Sequence, residues 1–254
     1  MNSNWFTAVT SAPRRVPTVN GTVESLRWAG FNPYVFAEPG TSIEDKSAVG
    51  CVHVQRLGVW HNWVYAAEKA YESGYPHCLI TQDDINVHED TREVLELLFA
   101  KSKAYEMISV YTPRAYSYEN NNVSRRRRKP GLYDAIQAEL LFGAVGFAYR
   151  RQTLGKMLEH PLIDNWRGVK EAKLPEDAVN SDVAIGKICS ALGIRIWFPT
   201  PSFGIHTSRV SSIPGHGNND VKRNRNAEDP ARNTEPLWEQ LFPGGRKVEE
   251  NRLR

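Results

Sequence analysis

Cysteine is scarce: Cys51, Cys78 and Cys189 are the only three in 254 residues, with no CxxC pair and no ligand-like spacing. That excludes a disulfide scaffold or a zinc-finger array and points to a reduced, intracellular chain. Long apolar runs are missing too. Nothing approaches the roughly 20 residues that span a bilayer. The opening MNSNWFTAVTSAPRR has no apolar stretch behind a basic start, so neither a membrane span nor a signal peptide is expected, and a cytoplasmic location is. Net charge is small, since 32 Lys and Arg against 29 Asp and Glu leave +3. Overall charge therefore does not announce a nucleic-acid binder. There are no internal repeats, and no Gly-rich phosphate loop ending in Lys, which counts against a nucleotidyltransferase. What is present is 41% hydrophobic and 24% charged residues at a mean hydropathy of −0.50, enough for one sizeable core.

Strand and helix signals alternate along the chain. WFTAVT (Trp5–Thr10) is short and β-prone, and a Pro/Arg loop follows it. TVNGTVESLRWAG reads as a helix stopped at Gly30, and PYVFAE as the next strand. In RLGVWHNWVYAAEKAYESG, Val59/Trp60, Trp63, Ala66/Ala67 and Ala70 recur at helical steps, which makes both tryptophans core residues. HCLIT is a strand. EDTREVLELLFAKSKAY is a helix with acids in its first turn and lysines near its end, as the helix dipole favours. EMISVY, the glycine-punctuated GAVGFAY and IRIWFP read as further strands, and NSDVAIGKICSALG as a helix. Thr112–Gly131 has no periodicity and reads as a long loop of the kind that is usually functional or mobile. Residues 1–213 are expected to form one domain, and 214–254 a polar appendage in which only PLWEQLF docks. The expected class is α/β, with a mostly parallel sheet flanked by helices.

The sharpest local feature is CLITQDDINVHED. Asp83 and Asp84 stand side by side directly after an apolar strand, at the end of the sheet where α/β proteins bind ligands. Two carboxylates forced together repel, and a hard divalent cation such as Mn²⁺ or Mg²⁺ cancels that repulsion. The plainer alternative is an acidic turn that caps backbone groups.

The order of motifs resembles the GT-A glycosyltransferases, nucleotide-sugar-dependent enzymes with a Rossmann-like fold. The resemblance runs from Trp5 to Ser212. It rests on FTAVTSAPRR with the helix ending SLRWAGF, on RLGVWHNWVYAAEKA, on LITQDDI in the place of the acidic DxD motif, and on NSDVAIGKICSALGIRIWFPTPSFGIHTSRVSS. It implies a nucleotide-sugar donor, a UDP-sugar first, and a Mn²⁺ or Mg²⁺ ion held by Asp84 and His206. By the same resemblance Asp83 would contact the donor's ribose or sugar. Thr7, Thr10 and Arg14 would surround the base and phosphates, with Arg15 in reserve, and Arg56 and Asn62 would reach the donor. Asp182, just before a late helix, would be the base of an inverting transfer, with Glu176 and Asp177 behind it. The departure is Gln82 where the motif's first Asp belongs. Each residue also has a plainer reading: Asp182 as an acid favouring the helix dipole, and His206 as a hydrogen-bonded structural histidine.

The second feature is SRRRRKP, Ser124–Pro130, an anion-binding patch in the irregular loop. Arg125, Arg126, Arg127 and Arg128, with Tyr118 and also Tyr111 and Tyr116 available to stack on a base, suggest DNA as acceptor. The enzymes that glycosylate hydroxymethylated pyrimidines in phage genomes are the nearest fit, which would put the chain in a host cytoplasm. Charge runs are more often solvated surface. Two rival readings are a glycosyltransferase acting on a protein or cell-surface glycan, and a non-enzymatic nucleic-acid-binding α/β domain.

Overall fold

A computed structural model describes residues 4–113, 116–118, 127–134, 141, 143–166, 180–207 and 230–244. The main sheet is built from β1 (Trp5–Ser11), β2 (Pro33–Ala37), β3 (Val49–Val52), β4 (His77–Gln82), β6 (Met107–Ser109), β7 (Gly131–Asp134), β8 (Gly146–Arg150) and β9 (Ile196–Thr200). Their order across the sheet is β3-β2-β1-β4-β8-β6-β9-β7. β3, β2, β1 and β4 run parallel, as do β6 and β9. β8 lies antiparallel between β4 and β6, and β7 lies antiparallel on β9. β5 (Ile85–Val87) and β10 (Gly204–His206) form a separate two-stranded antiparallel sheet. The α/β class, with a mostly parallel sheet flanked by helices, is as expected from the sequence.

Helices cover both faces. α1 (Val19–Trp28), α3 (Thr91–Lys101) and α7 (Leu237–Leu241) bury Leu26, Leu95, Leu98 and Trp238 in one core layer. On the other face are α2 (Gly58–Glu72), α4 (Arg151–Leu158), α5 (Leu162–Asn165) and α6 (Ser181–Leu192), which contribute Trp60, Trp63, Leu154, Ile163 and Ile185 to the second layer. The two tryptophans of α2 stack at 5.2 Å, and Trp60 is fully enclosed. Truncating such a side chain to Ala costs about 3–5 kcal/mol. Gly30 follows α1 at φ 83, the left-handed conformation that ends helices.

Four strands had no clear local signal: β3, β5, β7 and β10. β3 is an edge strand with alternating half-buried and exposed residues, and β5 and β10 have three residues each. Such short pieces are specified by the partner they pair with rather than by their own composition. β7 falls at the end of the stretch read as a loop, against β9.

Candidate active site at the ends of β1 and β4

Because β1, β2 and β4 run parallel, their carboxyl ends share one edge of the sheet. β4 is central and its Cys78–Thr81 are all buried, which explains the apolar run before the acids. Asp83 and Asp84 make the two-residue turn from β4 into β5. Both are nearly inaccessible, at 2% and 3% exposure. Buried carboxylates at this density need partners.

Ser11 and Arg14 both donate to Asp83. Ser11 Oγ, the last residue of β1, donates to Oδ2 at 2.5 Å. Arg14 donates to Oδ1 from Nε at 2.9 Å and from Nη2 at 2.6 Å. The same Nη2 lies 2.9 Å from Asp84 Oδ2, so one guanidinium bridges both acids. On the other side His206 Nε2 lies 3.1 Å from that same Asp84 oxygen. β10 delivers it: His206 pairs with Ile85, and the Thr207 N–H donates to the Asp84 carbonyl at 2.8 Å. Burial raises the Asp83 carboxyl above the ordinary range, Arg14 opposes that, and the charge of Asp84 adds to it. Burial works against the charge on Arg14 as well, but the two carboxylates outweigh it and its pKa is raised.

The cluster's charge decides what it attracts. Two carboxylates face one guanidinium, so the acids outnumber the arginine two to one, and His206 lies beside them. His206 Nδ1 is buried with no hydrogen-bond partner among the described residues. Two ligands on adjacent corners of an octahedron, each about 2.1 Å from a Mg²⁺-sized ion, lie about 3.0 Å apart. The separation of Asp84 Oδ2 from His206 Nε2, 3.1 Å, suits such a pair. Among the described residues no group of three or more His, Cys, Asp or Glu is arranged to hold a metal. A two-ligand site fits an ion whose other positions go to water and substrate phosphate.

Asp182 reaches this edge indirectly. It sits half-buried in the first turn of α6, and its Oδ2 accepts the Gly143 N–H at 2.8 Å. Gln82 holds the same turn from the other side: its N–H donates to the Val145 carbonyl at 2.7 Å and its amide to the Ala144 carbonyl at 3.1 Å. Gly143 is at φ 75, and a Cβ there would come within 2.6 Å of Pro113 Cγ, so the turn requires glycine. Burial raises the Asp182 carboxyl, while N–H bonds from Gly143 and Ala144 hold it back.

The other expected donor contacts divide. Thr10 is at the strand end and donates to the Thr81 carbonyl at 3.2 Å, and Arg14 is in the cluster itself. Arg15 and Arg56 are exposed. Thr7 is not brought to the site: it is 0% exposed, four residues upstream of Ser11 along β1. Neither is Asn62. It is enclosed in α2, its amide N–H donates to the Phe36 carbonyl at 3.0 Å and its oxygen faces His53 Nε2 at 3.1 Å, so both ends serve the fold. Sequence reasoning missed Ser11, whose partner is 72 residues away. It also missed Glu38, whose carboxylate accepts the Leu57 and Gly58 N–H groups at 2.9 Å each and so caps α2.

Of the residues expected to meet an acceptor, Arg127 forms an isolated β-bridge with Tyr118, and the Arg128 guanidinium stacks over Tyr133 at 4.5 Å. Tyr116 stacks on Phe198 of β9 at 4.3 Å, and Tyr111 is fully buried with its ring 6.1 Å from that of His206. Arg125, Arg126, Glu176 and Asp177 lie outside the described residues. No described helix is long and apolar enough to cross a membrane.

No protein-family model matches the chain, and no curated protein does. Several solved structures share its shape at a distance. An STIV protein is 12% identical with a TM-score of 0.41, over 84% of this chain and 100% of that one. GalNAc-T7, solved with UDP, GalNAc and Mn²⁺, is 10% identical with a TM-score of 0.49, over 84% of this chain and 45% of that one. S. aureus TarS is 12% identical with a TM-score of 0.47, over 79% of this chain and 60% of that one. The chain thus spans less than two thirds of GalNAc-T7 and of TarS. The chemistry is read from the site itself.

Proposed function

We propose that the chain is a divalent-cation-dependent glycosyltransferase of the GT-A type, a hexosyl- or pentosyltransferase that moves a sugar from a UDP-sugar to a hydroxyl. The observation that carries this reading is the buried Arg14–Asp83–Asp84–His206 cluster at the shared carboxyl ends of β1 and β4. An α/β sheet binds its ligand at that edge. An enclosed acid pair with a histidine at ligand spacing suits a Mn²⁺ or Mg²⁺ ion. Asp84 and His206 would hold that ion, which when bound neutralises charge on the departing diphosphate.

The chain's own groups do the rest. Ser11 and Arg14 fix the Asp83 carboxylate, which faces the donor's ribose or sugar. Thr10 and Arg14 border the nucleotide. Asp182, with its pKa raised by burial, takes the proton of the attacking hydroxyl as the new glycosidic bond forms, and the anomeric centre inverts. The acceptor in this proposal is the hydroxymethyl oxygen of a 5-hydroxymethylpyrimidine such as hydroxymethylcytosine in bacteriophage DNA. The basic segment through Arg127 and Arg128 would track the phosphates, and Tyr118 would stack on a base.

The test is transfer of radiolabelled sugar, from a panel of nucleotide sugars with Mn²⁺, to hydroxymethylated and to ordinary DNA. Incorporation into hydroxymethylated DNA alone is expected. Donor hydrolysis with no incorporation into DNA moves the acceptor to a protein or glycan. DNA binding with no nucleotide-sugar binding replaces the enzyme with a binding domain.

A further inference from the structure

The single arginine nitrogen shared by the two acids raises a question of occupancy. Asp84 Oδ2 is the oxygen that Arg14 Nη2 contacts at 2.9 Å and also the one that His206 approaches at 3.1 Å. A cation seated between that oxygen and His206 Nε2, the pair at ligand spacing, shares it with Arg14. A guanidinium cannot give up its charge by losing a proton, so the two cations compete for one carboxylate.

We infer that Arg14 is a resident counter-cation of the acid pair, exchanged at Asp84 for the divalent ion while it stays hinged on Asp83. This rests on the metal-dependent reading of the site given above. The hinge is built from bonds that do not involve Asp84. Arg14 Nε holds Asp83 Oδ1 at 2.9 Å, and Ser11 braces the opposite oxygen at 2.5 Å. Rotation about that anchor takes Nη2 off Asp84, and off its 2.6 Å contact with Asp83 Oδ1, without breaking the Nε bond. The released nitrogens are then available to an anion, in this reading a nucleotide diphosphate, whose oxygens a guanidinium fork suits. His206 closes the other side of the same oxygen: its side chain is 8% exposed and its Nε2 points at Asp84 Oδ2 at 3.1 Å, which leaves Arg14 Nη2 as the group to be moved.

The exchange gives Asp83 a definite task. It keeps Arg14 within reach instead of binding the metal. It also predicts coupling. A diphosphate that draws Arg14 away from Asp84 frees the cation site, and by reciprocity the cation frees Arg14 for the diphosphate. That coupling adds to the direct contact between metal and phosphate.

The experiment is Mn²⁺ binding to the purified full chain, by calorimetry and by electron paramagnetic resonance, with and without UDP. Arg14→Gln removes the competitor, so Mn²⁺ alone binds about tenfold tighter or more than to wild type. UDP then improves Mn²⁺ affinity by a smaller factor than in wild type. Asp84→Asn abolishes Mn²⁺ binding in either background. Without metal, Arg14→Gln melts below wild type because two adjacent carboxylates lose their cation, and Mn²⁺ recovers more of its melting temperature than it adds to wild type. Arg14→Lys guards against a misfolded glutamine variant: one ammonium cannot span both acids as the fork does, so its Mn²⁺ affinity also rises, by less. Unchanged or weaker Mn²⁺ binding in both variants, with Mn²⁺ still bound by wild type, overturns the exchange and leaves the metal site standing. Absence of Mn²⁺ binding from wild type and from both variants overturns the exchange together with the metal-dependent function.

Discussion

The side-chain amide of Gln82 donates to the carbonyl of Ala144 at 3.1 Å. Gln82 is where the chain departs from the resembled motif, which would have an Asp there, and this bond gives the amide a use of its own. A carboxylate there would face a carbonyl oxygen, two acceptors with no proton between them. The amide instead ties the end of β4 to the 143–145 turn, which also carries the N–H that Asp182 accepts. The acid pair and Asp182 are thus positioned from one short segment.

Gln82→Leu breaks this link. The lost bond costs about 1 kcal/mol, a fall of roughly 2–4 °C in melting temperature for a domain of this size. Under the proposed mechanism transfer suffers more than folding does, because Asp182 loses its fixed placement. The expected result is a small shift by calorimetry with at least a tenfold loss in kcat. Equal losses in the wild-type-like Gln82→Asn and in Gln82→Leu would mean that length, rather than the amide, matters.

Glu38 offers a test of the fold at the same sheet edge. Leu57, the residue before α2, makes no side-chain cap, and the Glu38 carboxylate takes the Leu57 and Gly58 N–H groups in its place. Glu38→Ala leaves two enclosed donors unpaired and removes a negative charge from a helix N-terminus. The cost is about 2–4 kcal/mol, and Glu38→Gln, which keeps an acceptor, loses less. Thermal or urea unfolding reads both. A Glu38→Ala midpoint equal to wild type would rule out the cap.

These particulars mark how far the sequence reaches. Helices α1, α2, α3 and α6 are legible from periodicity, and β4 from an apolar run that ends at two acids. Asp84 and His206 were expected together and stand 3.1 Å apart. Arg14 was expected near the phosphates, but its bridge to acids 69 and 70 positions later follows from the β1–β4 pairing, which local pattern does not encode. Thr7 was expected as a donor contact through the family resemblance alone. Alternation gives two faces without saying which one is covered, and in β1 the Thr7 face lies under α1 and α3. Asn62 misled for a related reason, since a polar residue on a helix can serve a neighbouring strand's carbonyl as well as a ligand.

Cysteine reactivity separates cleanly. Burial pushes the Cys78 and Cys189 thiols up to about 12, whereas Cys51 is half-buried on edge strand β3. Its Sγ lies 3.8 Å from His53 Nδ1. Asn62 fixes that ring, because its amide N–H is committed to Phe36 and its oxygen therefore faces Nε2–H, leaving the Nδ1 lone pair toward the thiol. Iodoacetamide at pH 8 under native conditions is expected to label Cys51 alone, and His53→Ala to slow that labelling several-fold. Mass spectrometry of digested protein decides it. Early label on Cys78 or Cys189 would contradict the burial argument.

Asp182 separates stability from catalysis. Burial lifts its carboxyl pKa in the folded chain, so the folded state holds that proton more tightly than the unfolded one. The stability this group contributes is complete below its unfolded value, about 3.9, and is lost as pH rises through the raised folded value. Above that raised folded value the carboxylate works against the fold, and Asp182→Asn removes that burden while its amide oxygen still accepts the Gly143 N–H. The variant should melt above wild type at pH 7, with the difference shrinking toward zero as pH approaches 4. If Asp182 takes the acceptor's proton, the same change lowers kcat by about 10²–10⁴ while Mn²⁺ and UDP binding stay intact. Melting below wild type at pH 7 would show that the N–H groups require the charge. Undiminished transfer would make Asp182 only the anchor of the 143–145 turn, since a residue that accepts the acceptor's proton cannot be replaced by an amide without loss.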